Sequence, residues 1–225
     1  CSLGVSPFLN QMAMFLVQIT LNNTLTYYGA LSHYGEDIPL ACVGVISKVN
    51  ILMLGFTLGI SQGCQPIFSY NYGARQYSRV REAYRKAIVA ASIICCIAFV
   101  CFQLFPRPIV ALFDPSGSEE YFQFAERYFR IYMFMTLANA FQPITANFFT
   151  SIGKAKRGAL IALTRQVIFL IPLILIFPLF LGIDGVMYAG PIADSAAVVV
   201  ALALVTREMK RMPHVDEPVA ADTLV

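Results

Sequence analysis

Charge is what this sequence has least of. Asp, Glu, Lys and Arg make up 13% of its 225 residues, against about a quarter in a soluble domain of similar size. With 58% hydrophobic residues and a mean hydropathy of +0.67, the chain has too little polar surface to cover itself in water. Lipid is therefore the solvent that its composition predicts. Metal chemistry is equally poorly served. Cys1, Cys42, Cys64, Cys95, Cys96 and Cys101 form no CxxC and no Cys/His ligand spacing. That pattern argues against a zinc site and against a disulfide framework, and the cysteines in apolar runs read as packing residues. HExxH, P-loop and dinucleotide motifs are missing, so no metal and no organic cofactor are expected. A basic patch interleaved with exposed aromatics is missing too, which removes nucleic acid as a partner.

What is present is apolar length. A bilayer core about 30 Å thick needs roughly 20 mostly apolar helical residues. Six stretches qualify, at about 7–28, 39–69, 87–105, 131–150, 159–181 and 185–205. The predicted fold class is thus all-α, a polytopic bundle of six transmembrane helices over 1–211. Residues 29–38 and 106–120 read as loops, and 212–225 as a disordered cytoplasmic tail. The chain opens at Cys1 in mid-pattern, which is the expectation for a fragment or an excised half, and no signal peptide is read in it.

Orientation follows from Lys and Arg. With both ends cytoplasmic, the inner segments hold Arg75, Arg79, Arg81, Arg85, Lys86, Lys154, Lys156, Arg157, Arg207, Lys210 and Arg211. The outer ones hold only Arg107, Arg127 and Arg130, among several acids. An even number of spans keeps both ends on one side, as this assignment requires.

Within the spans, charge is expensive and therefore informative. Lys48 and Asp194 each lie nine residues past the outer start of a helix, at Pro39 and Gly185, so both sit about 13 Å deep. Equal depth permits an ion pair or two walls of one cavity. Arg165 rises from the inner side and lies about 10 Å deep, close enough to snorkel or to reach inward. The three suit a structural charge network as well as a transport pathway. Polar stripes add to this: Gln11, Gln18, Asn22 and Thr26 share a face of the first helix, and Thr136, Asn139 and Gln142 a face of the fourth. Interhelical hydrogen bonding explains such stripes, and so does a wet cavity; their number favours the cavity. Gly55, Gly59 and Gly63 repeat every fourth residue, as do Ala189, Ala193, Ala197 and Ala201. Both series predict close helix packing. Pro66, Pro143, Pro172, Pro178 and Pro191 predict bends.

Gly59-Ile60-Ser61-Gln62-Gly63 matches GxSxG, with Asp194 and His214 following in hydrolase order. That motif needs a strand-to-helix elbow, whereas here it lies inside a long apolar helix, so no enzyme is expected. The same segment continues as Gly59-Ile-Ser-Gln-Gly-Cys-Gln-Pro-Ile-Phe-Ser-Tyr-Asn-Tyr-Gly-Ala74. It resembles the G-x-x-Q-G-x-Q-P-x-x-x-Y-N-x-G-A signature of the multidrug and toxic compound extrusion (MATE) family, in the second half of those transporters. Asn147–Gly153, Leu163–Gln166 with Pro172, Gly182–Val186 and Pro191–Asp194 resemble its later helices, so the likeness covers nearly the whole chain.

The resemblance implies a twelve-helix exporter of which this chain is the C-terminal six-helix lobe. Its partners would be the lipid bilayer, an N-terminal lobe and small organic cations or amphipathic drugs. Its coupling ion would be Na⁺ or H⁺, and its location the bacterial inner membrane. Lys48, Arg165 and Asp194 stand where the family commonly carries charge. Some members place coupling carboxylates on the seventh, eighth or tenth helix. The corresponding first two helices have none in their cores, and Glu126 lies only at the outer end of the fourth, which points coupling to the other lobe. The rival readings are a lipid-linked saccharide flippase of the same superfamily, or a membrane channel or scaffold that transports nothing by exchange.

Overall fold

Helix accounts for nearly every described residue, and no strand occurs among them. The computed structural model describes residues 2–213 apart from 36, 114 and 116; within the helices, the side chains of residues 2–7, 9, 10 and 139 are outside the description. The elements are α1 (Ser2–Ala30), α2 (Asp37–Gly73), α3 (Tyr77–Leu104), α4 (Pro106–Phe113) and α5 (Glu119–Tyr132). A 3-10 segment (Met133–Leu137) leads into α6 (Ala138–Ser151). Then come α7 (Ala155–Leu163), a π-helical segment (Thr164–Leu170), α8 (Ile171–Leu181) and α9 (Ile183–Arg211). Four rods are long and apolar enough to cross a membrane: α2, α3, α7 through α8, and α9. The 29-residue α1 and the interrupted rod from α5 to α6 fall at the other two expected spans.

The expected boundaries shift outward wherever a helix continues beyond the apolar stretch. The fourth rod starts at Glu119 rather than near 131, so the loop expected over 106–120 instead holds α4 and the first turn of α5. Ser118 caps α5, its Oγ accepting from the Tyr121 N–H at 3.2 Å, and Glu119 and Glu120 suit the positive end of the helix. α5 is amphipathic: Tyr121, Phe122, Phe124, Ala125, Tyr128 and Phe129 are buried while its charged residues face out. A search for continuous apolar length passes over such a helix. α3 likewise begins at Tyr77, ten residues before the expected start, because Val80 and Ala87 turn inward between charged neighbours.

The core lies in two clusters at opposite ends of the bundle. One joins Leu25, Cys42, Ile46, Phe124, Phe129 and Met187. The other joins Phe68, Cys95, Ala140, Phe148, Ile161 and Ala201. The stripe of Ala189, Ala193, Ala197 and Ala201 is fully inside, so α9 packs closely against α8, α6 and the π segment, as small residues permit. The other small-residue stripe behaves differently. Gly55, Gly59 and Gly63 are exposed, and a Cβ at any of them would meet nothing within 4 Å. The expected packing role of these glycines is therefore not found within this chain: they lie on an open face of α2, turned away from α3 and α6. The exposed face of α3 has another chemistry, Val89, Ile93, Ile97, Val100 and Leu104, which suits contact with lipid tails.

Candidate transport cavity

Two prolines shape the middle of the bundle. Pro172 has no N–H and would clash with the carbonyl four residues before it in a regular α-helix. The chain widens there into a π turn, where the Ile171 N–H bonds the Gln166 carbonyl. Such π segments often accompany functional sites, and this one carries Arg165 and Gln166 into the interior. On the facing α9, Pro191 removes another N–H, and the Ser195 hydroxyl donates to the Pro191 carbonyl at 2.7 Å. Asp194 lies beside it, 8% exposed.

The Arg165 Nε donates to Asp194 Oδ1 at 2.5 Å, with both side chains mostly buried. A buried pair of this kind contributes little net stability, but removing one partner strands the other charge. Tyr132 closes the site from the end of α5. Its ring packs on Gly190, where a Cβ would stand 2.5 Å from Cε2, and stacks on Tyr128 at 5.6 Å between centroids.

Two cavities meet at this point. The smaller, about 130 Å³, lies between α1, α2, α5, the π segment and α9, with Gln18, Ser47, Asn50 and Tyr128 on its walls. The larger, about 350 Å³, runs towards the other end past Gln65, Gln142, Asn147 and Thr150. Met14, Leu54, Arg165 and Gln166 border both.

The residues expected at the site are thus partly gathered. Arg165 borders both cavities, Gln18 the smaller and Gln142 the larger, with Asp194 directly behind Arg165. Gln18 also donates to Asn22 at 3.1 Å, so part of that stripe is bonded along its own helix. Gln11 is exposed and borders only a hollow formed by α1. Asn139 lies in α6, and its side chain is outside the described residues. Lys48 requires a correction. It makes no ion pair with Asp194, and it sits on the exposed face of α2 with Gly55 and Gly59. Equal depth was insufficient because azimuth decides: Lys48 lies one residue, about 100°, beyond the cavity-lining Ser47, and α9 packs on α6, α8 and the π segment instead.

Other members of the site went unnoticed. Tyr128 stands among the charged residues Glu126, Arg127 and Arg130 of an amphipathic stretch, and Gln166 follows Thr164 and Arg165, so neither continues a polar stripe at helical spacing. Gln65, inside the signature segment, was a visible signal. Ser61, the serine of the GxSxG match, is buried within α2, accepts from Asn147 Nδ2 at 2.8 Å and lies 3.4 Å from the Pro143 carbonyl. It braces two helices.

Charge clusters close both ends. At one, Arg107 bonds Glu119 at 2.6 Å and lies 3.7 Å from Glu126. The hydrogen bond that Arg107 donates to Glu119, then the nearby carboxylate charges, hold the guanidinium pKa above its ordinary value. Arg127 there pairs with Asp184 at 2.8 Å. At the other end, Glu208, only 1% exposed, bonds both Lys154 and Arg157. Arg81 donates to the carbonyls of Met212 and Pro213 at 2.9 and 2.8 Å. The first residues of the expected disordered tail are therefore held; residues 214–225, with His214, lie outside the described part.

Comparison with known proteins agrees with this architecture. The sequence profile of the family described as MatE matches residues 11–176. Multidrug export protein MepA of Staphylococcus aureus (strain bovine RF122 / ET3-1) is 22% identical over 205 residues, 90% of this chain and 43% of that protein. The outward-facing structure of a multidrug resistance MATE family transporter of the MOP superfamily superposes with a TM-score of 0.83 at 20% identity, covering 93% of this chain and 46% of the other. The inward-facing structure of a transporter so described gives 0.84 at 20% identity, with 93% and 47% covered. The chain thus spans about half the length of the proteins it matches. A profile match over most of an all-helical, membrane-spanning chain settles its family: this chain belongs to the MatE family of multidrug and toxic compound extrusion transporters.

Proposed function

We propose that the chain is the C-terminal lobe of a secondary transporter that exports amphipathic drugs or organic cations in exchange for Na⁺ or H⁺. The observation that carries this reading is the pair of cavities meeting at Arg165 and Gln166 in the middle of a membrane-spanning bundle. Gln18 and Asn50 on the wall of one hollow, and Gln142 and Asn147 on that of the other, place polar groups beside open space at membrane depth, where they are costly without a use. In this reading the six helical rods span the bacterial inner membrane with both ends cytoplasmic. The end carrying Lys154, Arg157 and Glu208 then faces the cytoplasm, in keeping with the excess of inner Lys and Arg. An N-terminal lobe of the same protein completes the pathway.

Asp194 holds Arg165 in place, and a cation that displaced this bond would change the shape of both cavities together. Replacing Asp194 by Asn in the full-length gene product is expected to reduce drug resistance and dye efflux. Unchanged efflux at normal expression would remove Asp194 from the transport cycle. Saturable counterflow in vesicles separates an antiporter from a channel, and export of small dyes separates it from a saccharide flippase.

A further inference from the structure

The last turns of α9 run out of the apolar stretch that ends near Val205. Thr206, Arg207 and Lys210 follow it closely, so they stand about 2 to 8 Å beyond the hydrocarbon limit. That is the depth of phospholipid head groups, whose layer is roughly 5–8 Å thick on each side of the core. There Leu202, Ala203, Thr206, Arg207 and Lys210 line one shallow hollow of about 450 Å³ on the outer flank of the helix. Leu202 and Ala203 are exposed, and so is Val199 one turn deeper. The hollow therefore has an aliphatic end towards the membrane core and a basic end towards the water.

Among the described residues neither Arg207 nor Lys210 has an ionic or hydrogen-bonding partner. Glu208, the acid beside them in sequence, points the other way, buried and bonded to Lys154 and Arg157. Arg81 holds the carbonyls of Met212 and Pro213, which fixes the end of the helix that carries the two cations. A similar place on α3 differs in one respect. Arg85 and Lys86 border a hollow with Val89, Ala90 and Ile93, but Glu82 shares it and pairs with Lys86 at 2.7 Å. A helix C-terminus attracts cations by itself. That accounts for Lys210 and Arg211 in the last turn of α9, but not for Arg207 beside an aliphatic groove. We infer that this flank of α9 binds an anionic phospholipid, its phosphate held by Thr206, Arg207 and Lys210 and an acyl chain lying along Ala203, Leu202 and Val199. A free phosphate ion would answer the cations but leave the aliphatic end unused. In the orientation proposed above the lipid belongs to the inner leaflet, and that assignment alone rests on the transport reading.

The probes are phosphatidylglycerol and phosphatidylcholine, each with a diazirine on one acyl chain, in phosphatidylcholine vesicles that hold the purified full-length gene product. Photolysis and peptide mass mapping read how much of each lipid attaches to residues 199–203. The anionic probe is expected to label that segment roughly tenfold more strongly, since each Lys or Arg at a membrane surface is worth about a fivefold gain for an anionic lipid. Arg207→Gln with Lys210→Gln should bring the two labels level. Arg207→Lys with Lys210→Arg should keep the excess, and so should Arg85→Gln with Lys86→Gln on α3. Equal labelling by the two lipids in the unaltered protein, or an excess that survives loss of both cations, would overturn the inference. So would an unlabelled segment, which would mean that protein covers this flank. Loss of the excess on adding inorganic phosphate would mark a site for the free ion and overturn it too. Dye efflux is read in the same vesicles: a retained excess without efflux would support the lipid site and count against the transport reading alone.

Discussion

Gly190 carries no side chain in a helix where glycine is otherwise a poor choice, and Tyr132 is the reason. The aromatic ring occupies the space of the missing Cβ, and through its stack with Tyr128 it fixes the wall of the smaller cavity. Gly190→Val should therefore lower the detergent melting temperature, as overpacking costs about 1–3 kcal/mol. It should also disturb ligand binding more than Ser195→Ala does; an unchanged melting curve would show that Tyr132 moves aside freely. At this scale the sequence is a partial guide. Intramembrane charge singled out Asp194, Arg165 and Lys48, and the first two form a buried pair. It could not tell which two would meet, because pairing depends on the rotation of each helix, and depth alone is legible from a count of residues.

Interruptions, rather than regular turns, place the functional side chains along the elements. α6 stops at Ser151 in a Schellman motif: the Gly153 N–H bonds the Thr150 carbonyl at 3.1 Å and the Lys154 N–H bonds that of Phe149 at 2.8 Å. Gly153 takes φ +77° there, a left-handed conformation that favours glycine. This turn brings Lys154 and Arg157 onto Glu208. Gly153→Ala is expected to cost about 1 kcal/mol and to loosen that cluster. Comparable hydrogen exchange at α7 in both proteins would contradict it. The six apolar runs were readable because each is long and continuous. The amphipathic start of α5 and the π segment before Pro172 were not, since one lacks apolar length and the other depends on how neighbouring helices accept a displaced carbonyl.

For the whole molecule, the two kinds of bare surface differ in what they ask of their surroundings. The large aliphatic face of α3 is at ease in lipid. The face of α2 that carries Lys48, Gly55, Gly59 and Gly63 also exposes Leu52 and Phe56, and its charge and its small residues suit another helix better than lipid tails do. Gly59→Leu should leave the thermal stability of this chain by itself nearly unchanged, since a Cβ there meets nothing within 4 Å. In the two-lobe transporter proposed above it should depress export, because the N-terminal lobe proposed there would seat against it. Normal export would assign this face to the bilayer. One further consequence concerns motion. α9 bears Asp184, Asp194 and Glu208, which hold partners in α5, the π segment, and α7 with the turn before it. Counted along the helix at 1.5 Å per residue, these anchors are about 15 and 21 Å apart. A slip of one turn would carry all three acids about 5.4 Å from their partners at once. Sliding of α9 by a turn would therefore break its ties to three other segments together, so the helix is moored along its length rather than at one end.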